Sequence, residues 1–398
     1  MARPTLLQRP GDRPRSAYVS KLRTFSEDFV GALSNGKISP HDAVLIDLLR
    51  AIAAILVVIF HARIYTLGGS EMTDLNMLAY AATNCGTQAV FWFFVLSGYL
   101  VGGSAIMEVV RTGRLDFRRY VISRSTRLYI VLIPALILTG LLDYVRVATF
   151  GMNSHNGFET SSSYEMKTFI GNLFFLQTTA VPTFGSNLAL WSLANEFWYY
   201  LTFPLLLSSF MTALPVWSRL GLTAAGIAVL SILSLSNFSI VWLFSLWCMG
   251  AAARVLPLRF MQSRLLAMLL AIVAVVSFPV LHPHIGPLAT LVVGLSFTNM
   301  LLTLRSDARS ESILFSAAAK RLAAFSFSLY IVHLPLQHLL LTMFQGHGDP
   351  FLGFDPNSLA TPAAIIMLAA ASIAVGYVFS LITEAHTDAF RVRISRYL

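Results

Sequence analysis

Two ionisable residues interrupt the apolar run IDLLRAIAAILVVIFHAR, residues 46–63: Arg50 and His61. A charge within lipid costs about 2.5–3.5 kcal/mol on insertion scales, so such residues face a bundle interior or a wet cavity. They are 11 residues apart, which on a helix leaves them within about 20° of one face and about 16 Å apart along the axis. A cation below and a titratable imidazole above suit a long anionic ligand lying along the helix, its reacting end near His61. The pantetheine arm of coenzyme A has a comparable reach, on the order of 15–20 Å. Arg50 could instead snorkel to headgroups, and His61 could be an interfacial residue.

Other polar residues stand in apolar places. FWFFVLSGYLVGG (91–103) carries Ser97, either a small residue for close helix packing or a substrate contact. SRSTRLYIVLIP (123–134) places Arg124 and Arg127 three apart, on one helix face, to grip phosphates or simply to mark topology. LWSLANEFWYYL (190–201) carries Glu196 among Trp191, Trp198, Tyr199 and Tyr200. The aromatics resemble an interfacial belt. The acid needs a partner, and His61 lies at a compatible depth, so a Glu196–His61 pair is expected to fix the imidazole tautomer. FSFSLYIVHLPL (325–336) puts Ser326, Tyr330 and His333 on one face at i, i+4 and i+7. His333 is either satisfied in the core or lines the cavity of His61. Glu384 is a further acid that could pair with Arg50, Arg124 or Arg127. His282-Pro-His284 could touch a metal, but no nearby residue completes a ligand set, and no metal is expected. P-loop, Gly-x-Ser-x-Gly and HExxH patterns are absent from the sequence.

The elements that carry these residues are membrane helices. The chain is 56% hydrophobic and 12% charged, against about 25% charged in soluble domains. Ten apolar runs, about 44–65, 85–106, 121–142, 194–213, 218–236, 238–255, 264–281, 286–304, 323–344 and 361–383, each approach the length of a span. With the N-terminus cytoplasmic, 24 Lys and Arg fall on the cytoplasmic side and three (Arg63, Arg146, Lys167) on the other, in agreement with the positive-inside rule. The expected fold is all-α and polytopic, with about ten transmembrane helices and both termini cytoplasmic. A polar tail covers 1–43, the helical domain 44–385 and a basic tail 386–398, with 143–190 as an outer loop or lid. The first 43 residues hold no signal-peptide core, so the first helix is expected to direct insertion. The net charge of +9 reads as topology and headgroup contact, not nucleic-acid binding. Two cysteines in separate apolar runs argue against a disulfide framework, and no internal repeat of the transporter type is visible.

Taken together, four blocks resemble the membrane-bound acyltransferase 3 family: RAIAAILVVIFH with Arg50 and His61, FFVLSGYL, LWSLANEFWYYLTFP with Trp191, Ser192, Glu196 and Tyr200, and FSFSLYIVHLPL with Ser326, Tyr330, His333 and Pro335. The resemblance covers about residues 40–385. It departs from the family at Glu384, followed by Ala-His-Thr where a proline is common, and the chain looks like the acyltransferase-only type without a fused hydrolase-like domain. It implies an O-acyltransferase of the bacterial cytoplasmic membrane that moves an acyl group, acetyl by expectation, from acyl-CoA to a hydroxyl of a saccharide-containing acceptor. On that reading Arg50, Arg124 and Arg127 hold the CoA phosphates and His61 is the general base, oriented by Glu196. Tyr330 or Ser97 donates to the carbonyl oxygen, His333 shares the catalytic cavity, and Ser97, Trp191, Tyr200 and Ser326 contact substrate. Direct transfer and an acyl-His61 intermediate both remain open, as do the acceptor and the oligomeric state. The competing reading is a transporter or flippase of a lipid-linked sugar or amphiphile.

Overall fold

The computed structural model describes residues 38–67, 83–151, 159–256, 261–305, 313–345 and 360–397. Most of the 1–43 tail and residues 152–158 of the outer loop lie outside the described residues. Among the described residues the architecture is helical, with one isolated bridge between Gln177 and Val181. The fourteen helices are α1 (Pro40–Leu67), α2 (Gly86–Ser97), α3 (Gly103–Thr112), α4 (Phe117–Phe150), α5 (Met166–Leu173), α6 (Leu190–Leu207), α7 (Val216–Ser236), α8 (Ser239–Val255), α9 (Arg264–Ile285), α10 (Pro287–Arg305), α11 (Ile313–Ala324), α12 (Ser326–Gln345), α13 (Ala360–Ile382) and α14 (Thr387–Tyr397).

All ten expected runs fall on helices. Eight spans among the described residues are long and apolar enough to cross a membrane, α2 and α3 counting as one. The remaining two are α8, an apolar helix of 17 residues, and α6, whose composition is diluted by Asn195 and Glu196. Both run beside α2: Gly250 and Trp247 of α8 abut Val95 and Gly98, and Glu196 of α6 reaches Ser97.

Local chemistry sets the boundaries. Ser39 accepts from Asp42 N at 3.0 Å and Pro40 follows it, so α1 starts four residues earlier than apolarity alone suggests. Gly113, at φ +72°, closes α3 in the left-handed conformation. Asp116 caps α4 by accepting from Arg119 N at 3.0 Å. At 34 residues, α4 extends about 51 Å, longer than a bilayer core of about 30 Å, so its outer end carries Asp143 and Arg146 into the expected loop. The basic 386–398 segment is mostly helical (α14) and packs along α4.

The most central span is α12, 78% buried, and the most peripheral is α7, 11% buried. The centre of α1 is lined by Ala53, Ala54, Val57, Val58 and Ala62, each at most 1% exposed. These small residues allow α2, α12 and α13 to close around α1. Gly98 and Gly250 carry the α2–α8 contact: a Cβ on Gly98 would lie 1.8 Å from Trp247 O, and one on Gly250 1.8 Å from Val95 O. Between α2 and α3, Gly98–Gly102 forms a π turn in which Gly103 N–H bonds the Gly98 carbonyl.

Candidate active site

Five elements converge on a cavity toward the arginine-rich end. Arg50 comes from α1, Ser97 from α2, Arg127 from α4, Ser192, Glu196 and Tyr200 from α6, and Tyr330 from α12. Phe93, Phe94 and Leu100 supply apolar wall. Arg50 is braced: it donates to Ser326 Oγ at 3.3 Å and lies 3.9 Å from Asp47. Ser326 in turn donates to Ala323 O at 2.8 Å, so it holds Arg50 rather than opening onto the cavity. Arg127 has no hydrogen-bonded or ion-paired partner among the described residues. Two guanidiniums facing a single carboxylate make this cavity an anion site.

Arg124 does not join them. Its guanidinium lies 5.9 Å from the Tyr120 ring centre, and it lines a separate recess with Tyr120 and Phe197. Residues three apart on a helix diverge by about 60°, enough here to send the two arginines to different sides of Tyr200, which lines both spaces. Trp191 also stays outside the cavity, with its ring 6.1 Å from that of Phe94.

Glu196 makes a different pair from the one expected. Its Oε1 accepts from Ser97 Oγ at 2.6 Å and from Tyr200 Oη, and Trp247 Nε1 donates to Ser97 Oγ at 3.1 Å. Tyr200 is one helical turn from Glu196 and Ser97 faces it across the α2–α6 contact. A half-buried carboxylate takes the donors within reach, and these two are within reach while His61 is not among them. Glu384 accepts from Ser328 N at 3.0 Å, in the first turn of α12, where the helix dipole favours an anion.

His61 pairs with His333. His333 Nε2 lies 3.1 Å from His61 Nδ1, and the rings are 5.0 Å apart. The partners fix the protons. His333 Nδ1 is 2.7 Å from Tyr330 O, which only accepts, so Nδ1 carries the hydrogen and Nε2 of the neutral ring carries a lone pair. His61 Nδ1 lies 2.9 Å from Val57 O, another pure acceptor, so His61 Nδ1–H serves both Val57 O and His333 Nε2. The His61 Nε2 lone pair is then left for chemistry. A second imidazole and two carbonyls thus do the tautomer-setting work expected of Glu196. Tyr330 joins the histidines to the cavity: its hydroxyl shares a 2.6 Å hydrogen bond with Ser192 in the cavity wall, and its carbonyl holds His333.

Two features went unread in the sequence. Pro335 has no N–H, which leaves the Ile331 carbonyl four residues back without its helical donor. Asn187 Nδ2 supplies one at 2.9 Å and also donates to Thr139 at 3.0 Å, tying the outer segment to α12 and α4. Further out, Glu159 is clasped by Arg146 at 2.8 Å, Tyr164 at 2.7 Å and His338 at 2.9 Å. Burial alone would raise the Glu159 carboxyl, but the hydrogen bond and charge of His338 and the charge of Arg146 outweigh it and hold the group at about 2. The i, i+3 spacing of Asp143 and Arg146 was the available signal, but nothing in the sequence names their partner. Among the described residues no group of three or more His, Cys, Asp or Glu could hold a metal.

A family model described as an acyltransferase domain matches residues 44–381. Proteins of Staphylococcus aureus strains COL and N315, each named "Putative O-acetyltransferase", are 27% identical over 192 residues, 47% of this chain and 28% of theirs. An uncharacterised protein of Haemophilus influenzae is 31% identical over 120 residues, 29% of this chain and 46% of its own length. The chain thus aligns with less than half the length of these relatives. No solved structure matches.

Proposed function

This chain belongs to the acyltransferase family whose model covers residues 44–381, and on that premise we propose that it moves an acyl group, acetyl first, from acyl-CoA to a hydroxyl of a saccharide-containing acceptor. The Arg-rich end is the cytoplasmic one by the positive-inside rule, in a bacterial cytoplasmic membrane. Residues 44–385 form the catalytic unit, with 143–190 covering its outer mouth. The observation that carries the reading is the joining of two features by Tyr330: a cavity with an unpartnered Arg127 beside Arg50, and the His61–His333 pair behind it.

The donor phosphates sit against Arg127 and Arg50, and the pantetheine arm runs along α1 to present its thioester beside Tyr330. His61 Nε2 takes the acceptor hydroxyl proton as that oxygen attacks the thioester carbonyl. The Tyr330–Ser192 hydroxyl pair donates to the carbonyl oxygen as it gains charge; Ser97 is less suited, since its proton is committed to Glu196. Collapse forms the ester and expels the CoA thiolate, which regains a proton from the His61 imidazolium. His333 positions the base.

The test is His61→Asn in the purified full chain. Acetyl-CoA binding is expected to persist within about threefold while thiol release with a glycan extract of the source organism falls about 10²–10⁴-fold. Wild-type transfer by this variant refutes the assignment. Transport of a lipid-linked sugar without CoA release would move the competing reading forward.

A further inference from the structure

A second basic cleft lies outside the cavity. It is lined by Arg119, Ile122 and Ser123 of α4 and by Arg391, Val392, Ser395 and Arg396 of α14. Topology explains why arginines occupy this end of the molecule. It does not explain why side chains about 270 residues apart in sequence converge on one space with two serine hydroxyls. The neighbouring acids are already engaged: Asp116 accepts from Arg119 N at 3.0 Å, and Asp388 pairs with Arg391 at 2.7 Å while its own side chain is 85% exposed. Arg391 is thus the paired guanidinium of the three, and Arg119 and Arg396 face the cleft beside it with no carboxylate lining it. The same helix exposes Phe390 outside the cleft, an apolar contact of the kind a membrane interface takes.

We propose that this cleft between α4 and α14 binds a phosphate group at the cytoplasmic membrane surface, with the headgroup of an anionic phospholipid as its first occupant. Guanidiniums match phosphate oxygens two at a time, the Ser123 hydroxyl completes the shell while Ser395 donates to the Arg391 carbonyl at 2.9 Å, and Phe390, outside the cleft, rests on acyl chains. The nucleotide end of the donor offers the same chemistry; that source rests on the acyl-CoA reading above, and the lipid source does not.

The experiment uses the full chain in nanodiscs of phosphatidylcholine with or without 30% phosphatidylglycerol. Arg391→Gln/Arg396→Gln is compared with Arg111→Gln/Arg393→Gln, which removes equal charge outside the cleft. Native mass spectrometry reads retained phosphatidylglycerol. The cleft pair is expected to lose about tenfold relative to wild type and the control pair less than twofold. In a second arm, detergent-solubilised proteins are titrated with acetyl-CoA and its 3′-dephospho analogue. A tenfold loss by the cleft pair for acetyl-CoA alone assigns the site to the nucleotide phosphate. Wild-type behaviour of the cleft pair in both arms, or equal losses in the control pair, overturns the proposal. If wild type binds no acetyl-CoA, the donor reading fails while the lipid arm still decides the cleft.

Discussion

Replacing Arg127 with Gln separates binding from folding. Arg127 lines the cavity without a hydrogen-bonded or ion-paired partner among the described residues, so its removal leaves no orphaned acid. A charge-assisted hydrogen bond to a phosphate contributes about 1.5–3 kcal/mol, which corresponds to about 10- to 150-fold in Kd. Acetyl-CoA affinity should fall by that amount while the Tm in detergent stays level, because no hydrogen bond or ion pair is lost. Arg50→Gln should lose similar affinity and also lower the Tm, since Ser326 at 3.3 Å and Asp47 at 3.9 Å lose their partner. The assay is isothermal titration with acetyl-CoA paired with a thermal melt of the same preparation. Binding by Arg127→Gln within twofold of wild type, in a folded protein, refutes the donor site. A fall in Tm for Arg127→Gln matching that of Arg50→Gln would show that Arg127 is a structural cation.

Three further outcomes are expected. His333→Leu removes one acceptor from His61 Nδ1 but leaves Val57 O at 2.9 Å, so kcat should fall about 5- to 150-fold, the equivalent of about 1–3 kcal/mol, and less than in His61→Asn; a loss as large as that of His61→Asn would make His333 the base. Gly250→Ala forces a Cβ to 1.8 Å from Val95 O, so the α2–α8 contact should open and stability drop by about 1–3 kcal/mol or more, read as a lower Tm. Glu159 is held at about 2 against an ordinary 4.5, a depressed carboxyl, so its stabilisation of about 3 kcal/mol is present above about pH 4.5 and is lost as pH falls toward 2; wild type should show that acid loss in a pH series of melts, and Glu159→Gln should be less stable at neutral pH with a flatter acid limb.

Helix periodicity made much of this legible. Arg50 and His61 share a face because 11 residues is close to three turns, and the same arithmetic on Ser326, Tyr330 and His333 placed three residues that the structure does gather near α1. What a single sequence does not carry is the choice of partner across helices. Glu196 offered one acid and several candidate donors, and the packing of α2 against α6 decided for Ser97 and Tyr200. Arg124 and Arg127 look equivalent in a linear motif, yet the helix face they share is wide enough for Tyr200 to divide them. Pro335 announced a missing hydrogen bond but not that Asn187, 144 residues before Ile331, would supply it. The short helices α11 and α14 escaped notice because they are pieces at the ends of the bundle, where hydropathy gives no continuous run.

The π turn at Gly98–Gly102 has a consequence for how this helix tolerates insertion and deletion. A five-back hydrogen bond from Gly103 to Gly98 accommodates one residue more than a regular α-helix would over the same stretch. Deleting one residue there would restore regular winding and leave everything beyond it on its present face, whereas winding the same residues as a regular α-helix without a deletion would rotate everything beyond them by about 100°. In the latter case Ser97 would keep its place against Glu196, but Gly103, whose added Cβ would sit 2.2 Å from Arg254, would turn away and bring a side chain into that gap. The π turn therefore works as a phase adjuster, keeping Gly103 against Arg254 of α8 while Ser97 stays in the cavity wall.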